Sequence, residues 1–134
     1  MLAAGCGRKG PPRVPELLAP AAIADLTARV DDRGIRLGWS RPRVALDGRK
    51  LTDLAAFVVL RKSTRADCLE CGSGYEERAV IDVEDEGKFL KRSEYDYTDR
   101  DLRAGTVYRY RVLARLSDGS ASGPSNEVSI EWRP

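Results

Sequence analysis

The sequence predicts an all-β chain folded as a seven-strand antiparallel β-sandwich. Three observations carry that prediction. Apolar residues recur with period two rather than 3.6. Ile35, Leu37 and Trp39 alternate with Arg36 and Gly38, and Tyr108, Tyr110, Val112 and Ala114 alternate with Arg109, Arg111 and Leu113. Such alternation marks strands that bury one face. Turn signals separate the runs: Asp31-Asp32-Arg33-Gly34, Leu46-Asp47-Gly48, Cys71-Gly72-Ser73-Gly74, Asp118-Gly119 and Ser122-Gly123-Pro124. No window of about 12 residues reads as an amphipathic helix, and Leu51–Ala56 holds one helical turn at most.

Seven strands follow in order. The first, 23–30, runs from Ile23 to the Asp31–Gly34 turn. The second, 34–40, carries the Ile35/Leu37/Trp39 alternation. The third, 55–62, contains Phe57-Val58-Val59-Leu60, a continuously apolar run that marks a more deeply buried strand. The fourth, 75–83, leads into the acidic run Asp82, Glu84, Asp85, Glu86. The fifth is 93–99, and the sixth is the long alternating run 106–116. The seventh, 125–132, alternates Val128, Ile130 and Trp132 with Ser129 and Glu131.

These residues resemble the fibronectin type III domain, an immunoglobulin-like sandwich, from about Pro20 to Trp132. Pro20 to Ala28 is similar to its opening strand. Ile35-Arg36-Leu37-Gly38-Trp39-Ser40-Arg41-Pro42 is similar to its second strand, with the core tryptophan followed by proline. Leu102 to Ala114 resembles its most diagnostic stretch, and Ser122-Gly123-Pro124-Ser125-Asn126-Glu127-Val128 its last turn and strand. The chemistry of the residues agrees. An inward Trp39 fills the space between sheets, burying on the order of 200 Å². Tyr108, just after Gly105, stands where a tyrosine corner bonds back to upstream backbone. Trp39, Tyr108, Phe57 and Leu102 are therefore expected in the structural core. The connections Arg41 to Leu54 and Ser63 to Gly74 are longer than the family's pattern, and local function is expected there.

Composition narrows the function. The chain has 134 residues, 23 Lys+Arg against 21 Asp+Glu, and no histidine. Without histidine there is no His general base, no Ser-His or Cys-His nucleophile and no His metal site. The near-balanced charge lacks the footprint of a nucleic-acid binder, and Arg61, Lys62, Arg65, Lys91 and Arg92 are scattered cations. The Asp82–Glu86 run lacks calcium-loop spacing and reads as a solvated turn. No catalytic residue, metal site or dissociable cofactor is expected.

The amino end reads as an anchor and a tether. Ala3-Ala4-Gly5 before Cys6 resembles the lipobox of bacterial lipoproteins, in which the cysteine carries a covalent diacylglycerol. Leu2 lies one position further from the cysteine than that family's leucine. Residues 1–5 are then the remnant of a signal sequence, 6–22 an anchor and proline-rich tether, and 23–134 the sandwich domain. Cys6-Gly7-Arg8-Lys9-Gly10-Pro11 also resembles the start of small lipoproteins of the outer-membrane lipopolysaccharide translocon. The resemblance implies an outer-membrane lipoprotein facing periplasm or cell surface. It also implies a protein partner in the envelope, and membrane contact through the lipid alone. Pro11, Pro12, Pro15 and Pro20 favour an extended, semi-rigid tether reaching roughly 40 Å.

Cys68-Leu69-Glu70-Cys71 is the constellation with chemistry in it. A c-type haem site needs His after the second cysteine, where Gly72 stands. A zinc site needs ligands the motif lacks. A redox pair needs a depressed thiol pKa, which Asp67 and Glu70 oppose. A disulfide staple in an exported protein is the favoured reading; thiol-redox activity and metal-bound or free thiols stand beside it. The expected function is a non-catalytic protein-binding or scaffolding module. The alternatives are a thiol-redox protein using Cys68 and Cys71, and a carbohydrate or surface-adhesion module presenting exposed aromatics.

Overall fold

The computed structural model describes residues 19–84 and 92–133. Cys6 and most of the tether lie outside the described residues, as do Asp85, Glu86 and Lys91. The seven strands are β1 (Thr27–Asp31), β2 (Gly34–Ser40), β3 (Leu54–Arg65), β4 (Glu76–Asp82), β5 (Glu94–Asp99), β6 (Thr106–Leu116) and β7 (Val128–Trp132). They form two antiparallel sheets, ordered β1-β2-β5 and β4-β3-β6-β7.

Alternation sets what each sheet buries. Ile35, Leu37 and Trp39 from one sheet meet Phe57, Val59, Tyr108, Tyr110, Val112 and Ala114 from the other in a single core. Trp39 is 3% exposed. Its ring meets Phe57 edge-on at 5.5 Å and stacks with Tyr95 at 6.4 Å. Its Nε1 is buried without a hydrogen-bond partner, a cost the burial of so large a ring outweighs. Leu102 is half-buried against the same core. The Tyr108 hydroxyl accepts a 2.7 Å hydrogen bond from the backbone N–H of Arg103, fixing the turn before β6.

β2 and β6 have the bounds the pattern predicts, and β3 runs three residues past Lys62, to Arg65. β4 and β5 lie within one residue of their expected bounds, but two strands start three or four residues late, and one residue explains both. β1 begins at Thr27 rather than Ile23, and β7 at Val128 rather than Ser125. Asn126 takes the place of the missing ladder. Its Nδ2 donates to Leu26 O at 3.0 Å, and Leu26 N–H donates to its Oδ1 at 3.0 Å. The side-chain amide thus satisfies one residue's backbone as a neighbouring strand would. Ser122 and Ser125 do the same for β6. Their hydroxyls accept from Ala114 N–H and Val112 N–H, each at 2.9 Å, and both serines are buried.

Strand direction gives the sandwich two distinct ends. At the entry end, Pro20 bridges to Ala45 in the β2–β3 connection, and Ala19 and Pro20 are buried. Residues 19–22, which composition groups with the tether, therefore begin the packed body. β3 leaves this end and delivers the chain about 40 Å away at Arg65. There the β3–β4 connection, the β5–β6 turn and the end of β7 gather: Ala66 N–H donates to Gly105 O, and Gly105 N–H to Trp132 O.

Candidate functional site: a polar groove at the far end

β3 and β6 pair along their full lengths, so Arg61 and Ser63 sit opposite Tyr110 and Tyr108. Arg61, Ser63 and Tyr108, with Arg65, Cys71, Gly72, Asp101, Arg103 and Thr106, line an open groove of about 390 Å³. One wall is the β3–β4 connection, the other the β5–β6 turn.

Cys68 and Cys71 stand at disulfide distance, Sγ–Sγ 1.96 Å. The bridge closes a tight turn in which Cys68 N–H donates to Arg65 O and Cys71 N–H to Cys68 O. Gly72 then passes close under β3. Its φ is +108°, and a β-carbon there would lie 2.7 Å from Ser63 O. Only glycine lets the wall approach its floor so closely. Leu69, at the tip of the loop, is 52% exposed. The staple thus shapes one side of the groove.

The floor is pinned from below by a buried charge cluster that motif reading missed. Asp99, wholly buried, accepts hydrogen bonds from Tyr110 Oη at 2.6 Å and from Arg61 at 2.9 Å, and pairs with Arg78 at 3.2 Å. Arg61 also donates to Asp101 O at 2.9 Å and lies over the Tyr108 ring, 5.0 Å from its centroid. Arg78 reaches inward because β4 is bulged: Ala79 stands opposite Val59 and Glu77 opposite Leu60, leaving Arg78 as the extra residue. A bulge re-aims a side chain in this way. Burial pushes the Asp99 carboxyl upward, but the hydrogen bonds from Tyr110 and Arg61 and the charges of Arg61 and Arg78 outweigh it, so it titrates below its ordinary range. The Tyr110 hydroxyl moves the other way, raised by burial and by its bond to the Asp99 carboxylate.

A signal for this cluster was present in the sequence. Asp99 shares its parity with Tyr95 and Tyr97, Arg61 with Phe57 and Val59, and Tyr110 with Tyr108 and Val112. Period two seats all three inward once a charged residue is allowed an inward position. The groove rim is different. Arg103 and Ser63 are exposed, and the Arg103 side chain makes no hydrogen bond or ion pair among the described residues. Arg65 forms a two-point pair with Asp67, at 3.0 and 2.9 Å. The rim thus offers guanidinium, hydroxyl and backbone groups to a polar or acidic segment.

The other sequence-derived site residues lie apart. Trp39 and Phe57 pack in the core toward the entry end, and Tyr108 alone joins core to groove. A second depression, of about 550 Å³, lies over Gly38 on the β1-β2-β5 sheet, rimmed by Arg29, Arg36, Glu94 and Asp96. Among the described residues every aromatic side chain is buried or half-buried.

No family model matches the chain, and no curated protein matches it in sequence. Solved structures are similar to it in fold. The twitchin kinase region of C. elegans aligns with TM-score 0.55 and 16% identity over 84% of this chain, which spans 16% of that one. A Fn3-like protein from Clostridium thermocellum aligns with TM-score 0.52 and 21% identity, covering 87% of this chain and 96% of that one. The third fibronectin III domain of human KIAA0343 protein aligns with TM-score 0.54 and 12% identity, covering 93% and 92%. The chain therefore has a fibronectin type III-like fold.

Proposed function

We propose that this chain is a non-catalytic lipoprotein of the bacterial cell envelope, anchored through diacylglycerol on Cys6, whose sandwich presents the far-end groove to an envelope protein. The observation that carries the reading is the opposition of the two ends. Residues 19–22 enter beside the β2–β3 connection, while the groove lies at the other end of the 12-residue β3. An anchor upstream of residue 19 would hold the groove away from the bilayer, toward a partner. Strands of this fold are commonly fixed scaffolding and their connections carry recognition. The staple serves recognition by holding one groove wall in a single conformation, which lowers the ordering cost of binding. An outer-membrane address follows from the Cys6-Gly7 start, and the pair Cys68/Cys71 acts structurally.

The test is site-specific photocrosslinking in the native envelope. A photoreactive residue replacing Arg103 or Ser63 is expected to trap one discrete protein adduct; the same residue at the exposed Arg29, on the opposite sheet, is expected not to. Adducts of equal yield at all three positions, or none at the groove, refute the groove as the partner site. Detergent-phase partitioning of the mature protein, lost in Cys6→Ser, tests the anchor separately.

A further inference from the structure

The β2–β3 connection is an unexpected piece of structure. Arg43–Leu51 folds back as a small hairpin: Val44 bridges to Lys50, Ala45 N–H donates to Arg49 O at 2.8 Å, and Leu51 N–H to Arg43 O at 3.0 Å. Gly48, with φ +86°, closes the turn through its N–H to Ala45 O at 2.9 Å. The incoming chain lies along the hairpin's other edge, with Ala21 N–H donating to Val44 O and Leu46 N–H to Ala19 O. Three short segments thus form a platform at the entry end.

Alternation sorts its side chains. Ala45 turns inward and is 6% exposed, while Val44 and Leu46 turn outward and are 43% and 54% exposed. They are two of the most exposed large aliphatic side chains among the described residues. Lys50 stands directly across from Val44. Arg43, Arg49 and Lys50 are exposed beside them. Asp47 is the single acid of the hairpin, and it is engaged by Arg49 at 3.3 Å. Arg43 and Lys50 have no ion-pair partner among the described residues. Asp25, Asp53, Asp82, Glu84, Glu94 and Asp118 share this end of the sandwich but lie outside the hairpin.

We infer that the outward face of the 43–51 hairpin docks on an anionic lipid surface. Adjacent aliphatics ringed by cations suit the headgroup region, where side chains of the size of Val44 and Leu46 sink into the acyl boundary and lysine or arginine meets phosphate. A protein surface would want packed pockets around the aliphatics, and the hairpin face offers two aliphatic side chains, Val44 and Leu46. The incoming chain fixes the orientation: residues 19–21 are the hairpin's own neighbours, so a segment leading from a membrane arrives at this face. The orientation rests on the anchor proposed above, whereas vesicle binding by the hairpin does not need Cys6 to carry lipid, so the two can fail separately.

The experiment uses the full chain with Cys6→Ser in every arm, so that no lipid contributes. Partitioning onto phosphatidylcholine vesicles with and without phosphatidylglycerol is read by co-sedimentation at low and high salt. Binding to the anionic vesicles is expected, weakening as salt rises. Arg43→Ala with Lys50→Ala is expected to lower it about 25-fold, roughly 5-fold per cation. Val44→Ser with Leu46→Ser is expected to lower it about 10-fold or more. All four positions are exposed, and an unchanged melting temperature confirms that the variants are folded. Both variants partitioning like the parent would place any binding in the amino-terminal Arg8, Lys9 and Arg13 and overturn the inference. Equal binding to neutral vesicles overturns it as well. So does loss, in the hairpin variants, of a protein crosslink formed through this face while vesicle binding persists.

Discussion

Replacing Asp99 by asparagine keeps the shape of the buried cluster and removes its one negative charge. Arg61 and Arg78 then face each other across a buried amide, with side chains 17% and 28% exposed. Removing one partner of a buried pair costs about 3–5 kcal/mol. Both guanidiniums keep a path to water, which discounts the loss to about 2–3 kcal/mol. Against a total stability of about 5–15 kcal/mol this is a large share, equivalent to a melting point lowered by about 8–12 °C. The measurement is urea unfolding followed by Trp39 and Trp132 fluorescence, comparing midpoints at constant slope. The pH dependence makes the test sharper. The folded Asp99 carboxyl titrates below its ordinary value. Its contribution is thus fully present above the unfolded pKa of about 3.9 and is lost as pH falls through the lower folded value. The stability gap between parent and Asp99→Asn should be flat from about pH 8 to about pH 5 and should narrow below about pH 4. A gap under about 0.5 kcal/mol at neutral pH, or one that widens on acidification, would show that Asp99 does not hold the groove floor in place.

Three further outcomes are expected. Gly34→Ala should destabilise by more than about 3 kcal/mol, because φ is +143° and the added β-carbon would lie 2.2 Å from Asp99 O; thermal melting reads it, and a loss under about 1 kcal/mol contradicts the close approach. Ser125→Ala should cost about 1–3 kcal/mol by orphaning the Val112 N–H, and hydrogen exchange should show that amide losing protection while β2 keeps its own. Reducing the Cys68–Cys71 bridge should cost no more than about 2 kcal/mol, leaving the sandwich's circular dichroism intact while protease sensitivity rises between Ala66 and Tyr75; global unfolding on reduction would mean that the staple holds more than its loop.

The sequence exposed whatever is written in alternation and hid whatever is written in side-chain hydrogen bonds. β2 and β6 were legible to the residue because inward and outward sets differ sharply in polarity there. The starts of β1 and β7 were not, because Asn126 imitates backbone, and an amide that closes on Leu26 looks in sequence like one facing solvent. The groove was half legible. Its staple and its tyrosine corner follow from Cys68, Cys71, Gly105 and Tyr108. Asp99 and Arg61 follow from parity only if a charged residue is allowed an inward seat, which burial arguments discourage unless a partner is already known. Arg78 was beyond reach, since its inward aim depends on a bulge that no residue type announces. The 43–51 hairpin was visible only as its Asp47-Gly48 turn, because its arms are short and its outer edge pairs with the incoming chain.

The placement of the termini has a mechanical consequence. The described chain enters beside Ala45 and leaves at Trp132, next to Gly105, at opposite ends of the sandwich. A pull between a fixed amino end and the carboxyl end therefore runs parallel to the strands. Leu26 and Asn126, where β1 and β7 approach each other, share that load with the β1–β2 and β6–β7 ladders, and both of their hydrogen bonds must slide rather than open one after the other. Bonds loaded in shear yield together and resist far greater force than bonds peeled in sequence. A single asparagine thus ties the first strand's entry to the last strand across the two sheets.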